Sequence, residues 1–157
     1  MISWKSDIFL LNRRPYFWIA LAGLVLYARS VRFDFTYLDD FIMVFNGLNA
    51  AGKPSGIFGI FFHNLYMSSE YYRPILSLSF IIDGKLWGLN PMGYHVTNVM
   101  LHILASCLVY KLFMGLGYDR KPAFAFSLLF IAHPLLSQAA CWLPGRNDSL
   151  QIGRAHV

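Results

Sequence analysis

Apolar residues gather into three long stretches separated by polar segments of unequal length. The first runs from about residue 15 to 31 and carries no charge between Tyr16 and Ala28. A helix crossing a bilayer needs about 20 apolar residues, so this stretch spans only if Arg29 and Arg32 reach out to the interface. Lys5, Arg13 and Arg14 ahead of it also suit a cleaved signal peptide. A cut after Ala28, however, would put Leu26 where a small residue is wanted, so an uncleaved anchor is expected. The second stretch, 94–116, and the third, 122–142, predict two more spans, with Pro134 kinking the third.

A long loop, residues 32–93, lies between the first and second stretches. Gly47, Gly52, Pro54, Gly56 and Gly59 interrupt any long helix there, so turns and short helices are expected. The segment PILSLSFIIDGKLW, from Pro74 to Trp87, is apolar but broken by Asp83, Gly84 and Lys85. Its length suits an interfacial or re-entrant helix with Pro74 as first residue. Asn90-Pro91 then forces a turn. Inside the second span His95, Asn98 and His102 recur at intervals of three and four, which gives that helix one polar face.

Composition turns this pattern from a buried core into a membrane protein. Hydrophobic residues make up 57% of the 157 and charged residues only 13%, whereas a soluble domain is nearer half and a quarter. The net charge of +5 is not gathered into a basic stripe interleaved with aromatics, so no nucleic-acid partner is expected. Cys107 and Cys141 form no C-x-x-C and read as small apolar residues. The tail Ile152-Gly153-Arg154-Ala155-His156-Val157 matches a translation of the adaptor sequence ATC GGA AGA GCA CAC GTC. Residues 151–157 are therefore expected to be non-native, and 1–150 an N-terminal fragment of a polytopic protein.

Basic residues also orient the spans. Placing Lys5, Arg13 and Arg14 with Arg120 and Lys121 in the cytoplasm satisfies the positive-inside rule. The loop 32–93 and the segment after the third span then share the outer face. Asp39, Asp40, His63, Glu70 and Arg73 are expected there beside Arg146 and Asp148.

Two adjacent carboxylates in so apolar a chain invite a chemical reading. Asp39 or Asp40 could deprotonate an acceptor hydroxyl as a general base. Arg73 or Arg146 could then offset a phosphate leaving group through the planar guanidinium fork. The same pair could hold a divalent cation, with Glu70 or Asp148 as further oxygen ligands. An isolated Asp-Asp pair is more commonly a solvated loop start or a helix cap. Arg73 likewise has the commoner use of an interfacial anchor. His95, Asn98 and His102 suit hydrogen bonds between helices. No second His or Cys cluster faces them to make a zinc site. Walker, G-x-G-x-x-G and G-x-S-x-G signatures are absent, which sets aside soluble nucleotide and hydrolase chemistry.

Five motifs follow one another in order. They are Tyr37-Leu38-Asp39-Asp40; Tyr72-Arg73-Pro74-Ile75 with Leu78-Ser79-Phe80; Trp87-Gly88-Leu89-Asn90-Pro91-Met92-Gly93-Tyr94-His95 with Thr97-Asn98, Leu101 and His102; His133-Pro134 with Trp142; and Gly145-Arg146-Asn147-Asp148. In this the chain resembles the N-terminal part of the transmembrane and tetratricopeptide-repeat O-mannosyltransferases and their bacterial relatives. More broadly it resembles the GT-C glycosyltransferases, which include protein O-mannosyltransferases and lipid A aminoarabinose transferases.

The resemblance implies an all-α membrane protein with GT-C-like N-terminal transmembrane helices and a long outer loop holding short interfacial helices. It implies an inverting transferase that moves a sugar, mannose among the candidates, from a polyprenyl-phosphate carrier to a hydroxyl on a protein or glycan acceptor. On that reading Asp39 and Asp40 are catalytic or hold a divalent cation, and Arg73, Glu70, His95, Arg146 and Asp148 bind substrate. The active site would face the periplasm from a bacterial inner membrane, or the lumen from the endoplasmic reticulum membrane. Three spans cannot enclose such a site, so the fragment alone is expected to be inactive. Asp-Asp stands where protein O-mannosyltransferases have Asp-Glu, which leaves base and metal ligand both open. The rival reading is a non-catalytic transporter or membrane-complex subunit, with His95, Asn98 and His102 lining a pathway or an interface.

Overall fold

Prolines open four of the helices in the computed structural model, which describes residues 13–36, 39–52 and 73–150. Among the described residues the α-helices are α1 (Arg14–Tyr27), α2 (Asp39–Ala51), α3 (Pro74–Trp87), α4 (Pro91–Gly115), α5 (Arg120–Ala132), α6 (Pro134–Cys141) and α7 (Arg146–Leu150). A single 3-10 turn, Ser30–Arg32, follows α1. No strand occurs among them, so the chain is all-helical as expected. Pro15, Pro74, Pro91 and Pro134 sit in the first two positions of α1, α3, α4 and α6, where the missing N–H has no helical partner to lose. Asn90 Oδ1 caps α4 by accepting from Met92 N at 3.2 Å. Glu70, His63 and residues 151–157 lie outside the described residues.

Helices α1, α4 and α5 pack around Ile19, Tyr27, Val99, Ile103, Ala123 and Ile131. Gly23 makes this closeness available, because a Cβ there would sit 2.5 Å from Ile103 Cγ1 and 2.7 Å from Ile131 Cδ1. Serines bind α4 to α5: Ser127 Oγ donates to the Ser106 carbonyl at 2.6 Å, and Ser106 Oγ to that of His102 at 2.8 Å. Helix α1 stops at Tyr27, short of residue 31. Ser30 Oγ takes up the Tyr27 carbonyl at 2.8 Å as the chain tightens into the 3-10 turn. Its 14 residues rise about 21 Å, less than a hydrocarbon core of about 30 Å.

Helix α4 has its polarity inside out. His95, Asn98, His102 and Ser106 are buried along one face, while Met100, Leu104, Leu108 and Leu112 are about half exposed along another. Among the described residues it is the one helix long and apolar enough to cross a membrane; α5 and α6, bent by 63° at His133, make a second if taken together. Pro134 cannot donate to Phe130, and the bend also leaves the Ile131 carbonyl without its ordinary partner four residues on. Tyr27 Oη donates to that carbonyl at 2.6 Å, and His102 Nε2 approaches it at 3.4 Å. The orphaned Leu135 N–H turns to His133 Nδ1 at 3.3 Å.

Helices α2 and α3 form an antiparallel pair against the N-terminal half of α4. A Cβ on Gly47 would lie 2.8 Å from the Phe80 carbonyl oxygen, so the backbones cross closely there. Phe41, Val44 and Phe45 of α2 share an apolar groove of about 170 Å³ with Phe35 and Leu89, which sets the start of α2 beside the end of α3. A second core of Val44, Leu76, Phe80, Tyr94 and Leu143 joins α2, α3 and α4.

Candidate active site

Neighbouring residues on a helix point about 100° apart, and the aspartate pair divides accordingly. Asp39 is exposed at the start of α2; Asp40 turns inward and is 1% exposed. Asp40 reaches back to the segment ahead of α2. Its Oδ2 accepts from Thr36 N at 2.9 Å and from Thr36 Oγ1 at 2.6 Å. These two bonds, from the backbone and the side chain of one residue, fix the carboxylate's rotation. Asp40 Oδ1 is buried with no hydrogen-bond partner among the described residues.

His95, the fifth residue of α4, is 2% exposed. Neither ring nitrogen has a hydrogen-bond partner among the described residues. The charges that act on the ring are those of Asp40, Asp34 and Arg146, and the Asp34 carbonyl lies toward it without reaching hydrogen-bond geometry. Phe33 stands edge-on to the imidazole with centroids 6.0 Å apart, and Phe35 stands edge-on to Tyr94 at 5.7 Å. Asp40 and His95 are both buried, and Phe33 stands beside the imidazole.

Arg146 is fully buried and enclosed by protein. Its Nε donates to Asn98 Oδ1 at 2.6 Å, Nη1 to Ser79 Oγ at 3.1 Å and Nη2 to the Tyr94 carbonyl at 3.2 Å. Nη2 is also 2.6 Å from Asp83 Oδ2, and the guanidinium carbon lies 4.4 Å over the Phe80 ring. Thr97 Oγ1 donates to Asp83 Oδ1 at 2.8 Å, and Asn98 Nδ2 to the Trp142 carbonyl at 2.9 Å. Burial pushes the Asp83 carboxyl above its ordinary value, opposed by the Arg146 charge and the Thr97 hydrogen bond. The cluster ties α3, α4 and α7 together.

Of the other sequence candidates, Arg73 lies apart from Asp40. Arg73 is half-buried at the N-terminal edge of α3, the opposite end of that 14-residue helix from the start of α2, or about 21 Å along it. Asp148 is exposed and accepts from Gln138 Nε2 at 3.3 Å. Glu70 is outside the described residues. Asp39 and Asp40 diverge, and no group of three or more His, Cys, Asp or Glu among the described residues could hold a metal ion.

Two residues of the site escaped sequence reasoning. Thr36 had a usable signal, a hydroxyl residue four positions ahead of an aspartate at a helix start. Asp83 read only as an interruption of an apolar helix, because its partner Arg146 is 63 positions away by residue number.

Comparison with known proteins adds a lineage to this geometry. The mouse protein O-mannosyl-transferase TMTC1 is 33% identical over 140 residues, which cover 84% of this chain and 15% of that protein. Human TMTC2 is 33% identical over 134 residues, covering 80% of the chain and 16% of the relative. Human TMTC4 is 31% identical over 161 residues, covering 87% and 22%. The chain therefore spans between 15% and 22% of the length of these relatives. No family model matches the chain, and no solved structure matches it. Over 80–87% of its length this chain matches one segment of the TMTC protein O-mannosyl-transferases, and it belongs to that family.

Proposed function

We propose that this segment supplies the proton-accepting carboxylate of an inverting sugar transferase embedded in a membrane, with Asp40 as the base. The observation that carries the reading is the asymmetric state of Asp40. Thr36 holds Oδ2 through two hydrogen bonds, while buried Oδ1 has no partner among the described residues. A carboxylate anchored by one oxygen is aimed by the other, which is the geometry a general base requires. The relatives' names supply the reaction class, O-mannosyl transfer to protein. The inside-out polarity of α4 supports the membrane setting.

In the proposed step the acceptor hydroxyl oxygen bonds to the anomeric carbon from the face opposite the carrier. The bond from that carbon to the phosphate oxygen breaks, and its electron pair leaves with the polyprenyl phosphate. The hydroxyl proton passes to Asp40 Oδ1. Arg146 frames α3, α4 and α7, since its nitrogens are already committed to Asn98, Ser79, Tyr94 and Asp83. The multi-pass GT-C arrangement and an outer or lumenal active site belong to the same proposal.

The test is transfer from a polyprenyl-phosphate mannose to a threonine-containing peptide, by membranes bearing the intact protein. Asp40→Asn should lower kcat by about 10²–10⁴-fold, the range of a lost general base. Asp39→Asn, at the exposed position, should retain activity within a few fold. Equal activity of Asp40→Asn and wild type sinks the assignment.

A further inference from the structure

We infer that the start of α1, the end of α4 and the start of α5 together form a surface that binds the headgroups of anionic phospholipids. The inference is independent of the sugar chemistry and rests on the membrane setting proposed above. Arg13, Arg14, Lys111, Arg120 and Lys121 stand at this end of the bundle, all exposed, with Asp119 as the one carboxylate beside them among the described residues. Elsewhere among the described residues Arg29, Arg32, Arg73, Lys85 and Arg146 are matched in number by Asp34, Asp39, Asp40, Asp83 and Asp148. The net positive charge of the described residues is therefore collected at one end.

Ring contacts hold the three helix ends together. Tyr16, the third residue of α1, stands edge-on to Tyr110 near the end of α4, with centroids 5.2 Å apart. Phe113, also near the end of α4, stacks on Phe126 of α5 at 4.7 Å and meets Tyr118 of the connecting turn edge-on at 5.3 Å. Farther from this end Tyr27 meets His102 at 5.4 Å and Ser127 bonds to Ser106, so α1 and α5 both run antiparallel to α4. The five cations thus share one end instead of being scattered along the bundle.

What lies deeper along the same helices selects the ligand. Phe17, Leu108 and Phe126 stand about a turn inward of Arg13, Lys111 and Lys121, and they are 61%, 48% and 40% exposed. A turn rises about 5.4 Å, so cations border an outward apolar band as the phosphates of a phospholipid border its acyl chains. A soluble anion uses the cations and leaves the band untouched. A zwitterionic lipid covers the band but carries no net charge for the cations to attract. A lipid with a net negative headgroup uses both. Tyr16, Tyr110 and Tyr118 supply the amphipathic rings that favour this level of a bilayer.

Lipid selectivity at the protein surface tests the inference. The full chain is reconstituted in dioleoylphosphatidylcholine vesicles with a trace of spin-labelled phosphatidylglycerol or spin-labelled phosphatidylcholine. Electron paramagnetic resonance then measures the lipid whose motion the protein restricts. Phosphatidylglycerol should be favoured about fivefold, the preference that one basic side chain confers near a membrane surface, and about 1 M salt should remove most of it. Arg120→Gln/Lys121→Gln should lower the preference to about twofold or less, whereas Arg29→Gln/Arg32→Gln should keep it. Should the first variant fail to fold, Arg13→Gln/Lys111→Gln removes charge from α1 and α4 instead. Arg120→Lys, which keeps the charge, should behave as wild type. Glycerol 3-phosphate in the buffer, a soluble source of the same phosphate chemistry, should not compete. A preference that survives both neutralised pairs at this end, an equal loss in Arg29→Gln/Arg32→Gln, or displacement by glycerol 3-phosphate overturns the inference. Restriction of both lipids without preference sinks it alone, while restriction of neither sinks the membrane reading with it.

Discussion

Arg146 and Asp83 form an ion pair 2.6 Å long, with side chains 0% and 2% exposed. Removing one partner of such a pair leaves an uncompensated buried charge and typically costs about 3–5 kcal/mol. Replacing both by apolar residues of similar volume is often close to neutral. Arg146→Met should therefore destabilise the protein by about 3–5 kcal/mol, and Arg146→Met/Asp83→Leu should recover most of that loss. Unfolding in detergent, run as a double-mutant cycle, measures the coupling. If Arg146→Met unfolds like wild type, the cluster does not hold α7 to α3 and α4.

The same pair sets a pH dependence. Burial raises the folded-state pKa of Asp83, and Arg146 opposes that rise. A carboxyl with a raised folded pKa binds more protons folded than unfolded between the two values, so stability falls as pH rises through that window. Deleting Arg146 removes the opposing charge and widens the window upward. Arg146→Met should gain stability relative to wild type as pH is lowered from neutral toward about 4, where the unfolded carboxyl titrates. Unfolding midpoints for the two proteins across that range check the sign. A deficit that grows on acidification contradicts it.

What the sequence made legible was local. Pro74 marked the start of α3, Asn90-Pro91 the turn before α4, and Pro134 the bend that separates α5 from α6, because these effects act within one or two residues. The period of His95, Asn98 and His102 identified one face of α4, and all three are buried. Sharing an outer surface, however, says little about which groups meet. Topology grouped Asp40 with Arg73 and Arg146, yet Arg73 stands at the far end of α3 and Arg146 is turned into the protein. The antiparallel pairing of α2 with α3 decides that, and it depends on a backbone approach at Gly47 that a list of glycines does not distinguish from a turn.

Glycines at two helical positions should respond oppositely to alanine. A Cβ on Gly47 would stand 2.8 Å from the Phe80 carbonyl oxygen, an atom that moves only if the α2–α3 crossing opens. Gly47→Ala should cost about 1–3 kcal/mol, as overpacking does. It should also lower transfer activity, since α2 carries Asp40. Gly115, the last residue of α4, has nothing within 4 Å of a built Cβ. Gly115→Ala should be neutral or stabilise by about 0.5–1 kcal/mol through helix propensity. Detergent unfolding midpoints compare the two, and equal effects would contradict close packing at Gly47.

The bend between α5 and α6 should depend on two side chains that share one acceptor. Tyr27 Oη and His102 Nε2 both address the Ile131 carbonyl, at 2.6 and 3.4 Å. With either present, that buried oxygen keeps a donor. Tyr27→Phe should therefore cost about 1 kcal/mol, the net worth of one hydrogen bond. His102→Leu should cost no more through this contact, because its distance is longer. Together they leave the carbonyl bare, and its desolvation should add about 1–3 kcal/mol beyond the sum of the single effects. Pro134→Ala supplies the control. It restores an N–H at 134, which lets the helix continue and the Leu135 N–H return to Ile131, so the excess of the double variant should shrink in that background. A strictly additive double variant, or an excess unchanged by Pro134→Ala, would mean that the broken turn is held by packing rather than by its shared carbonyl.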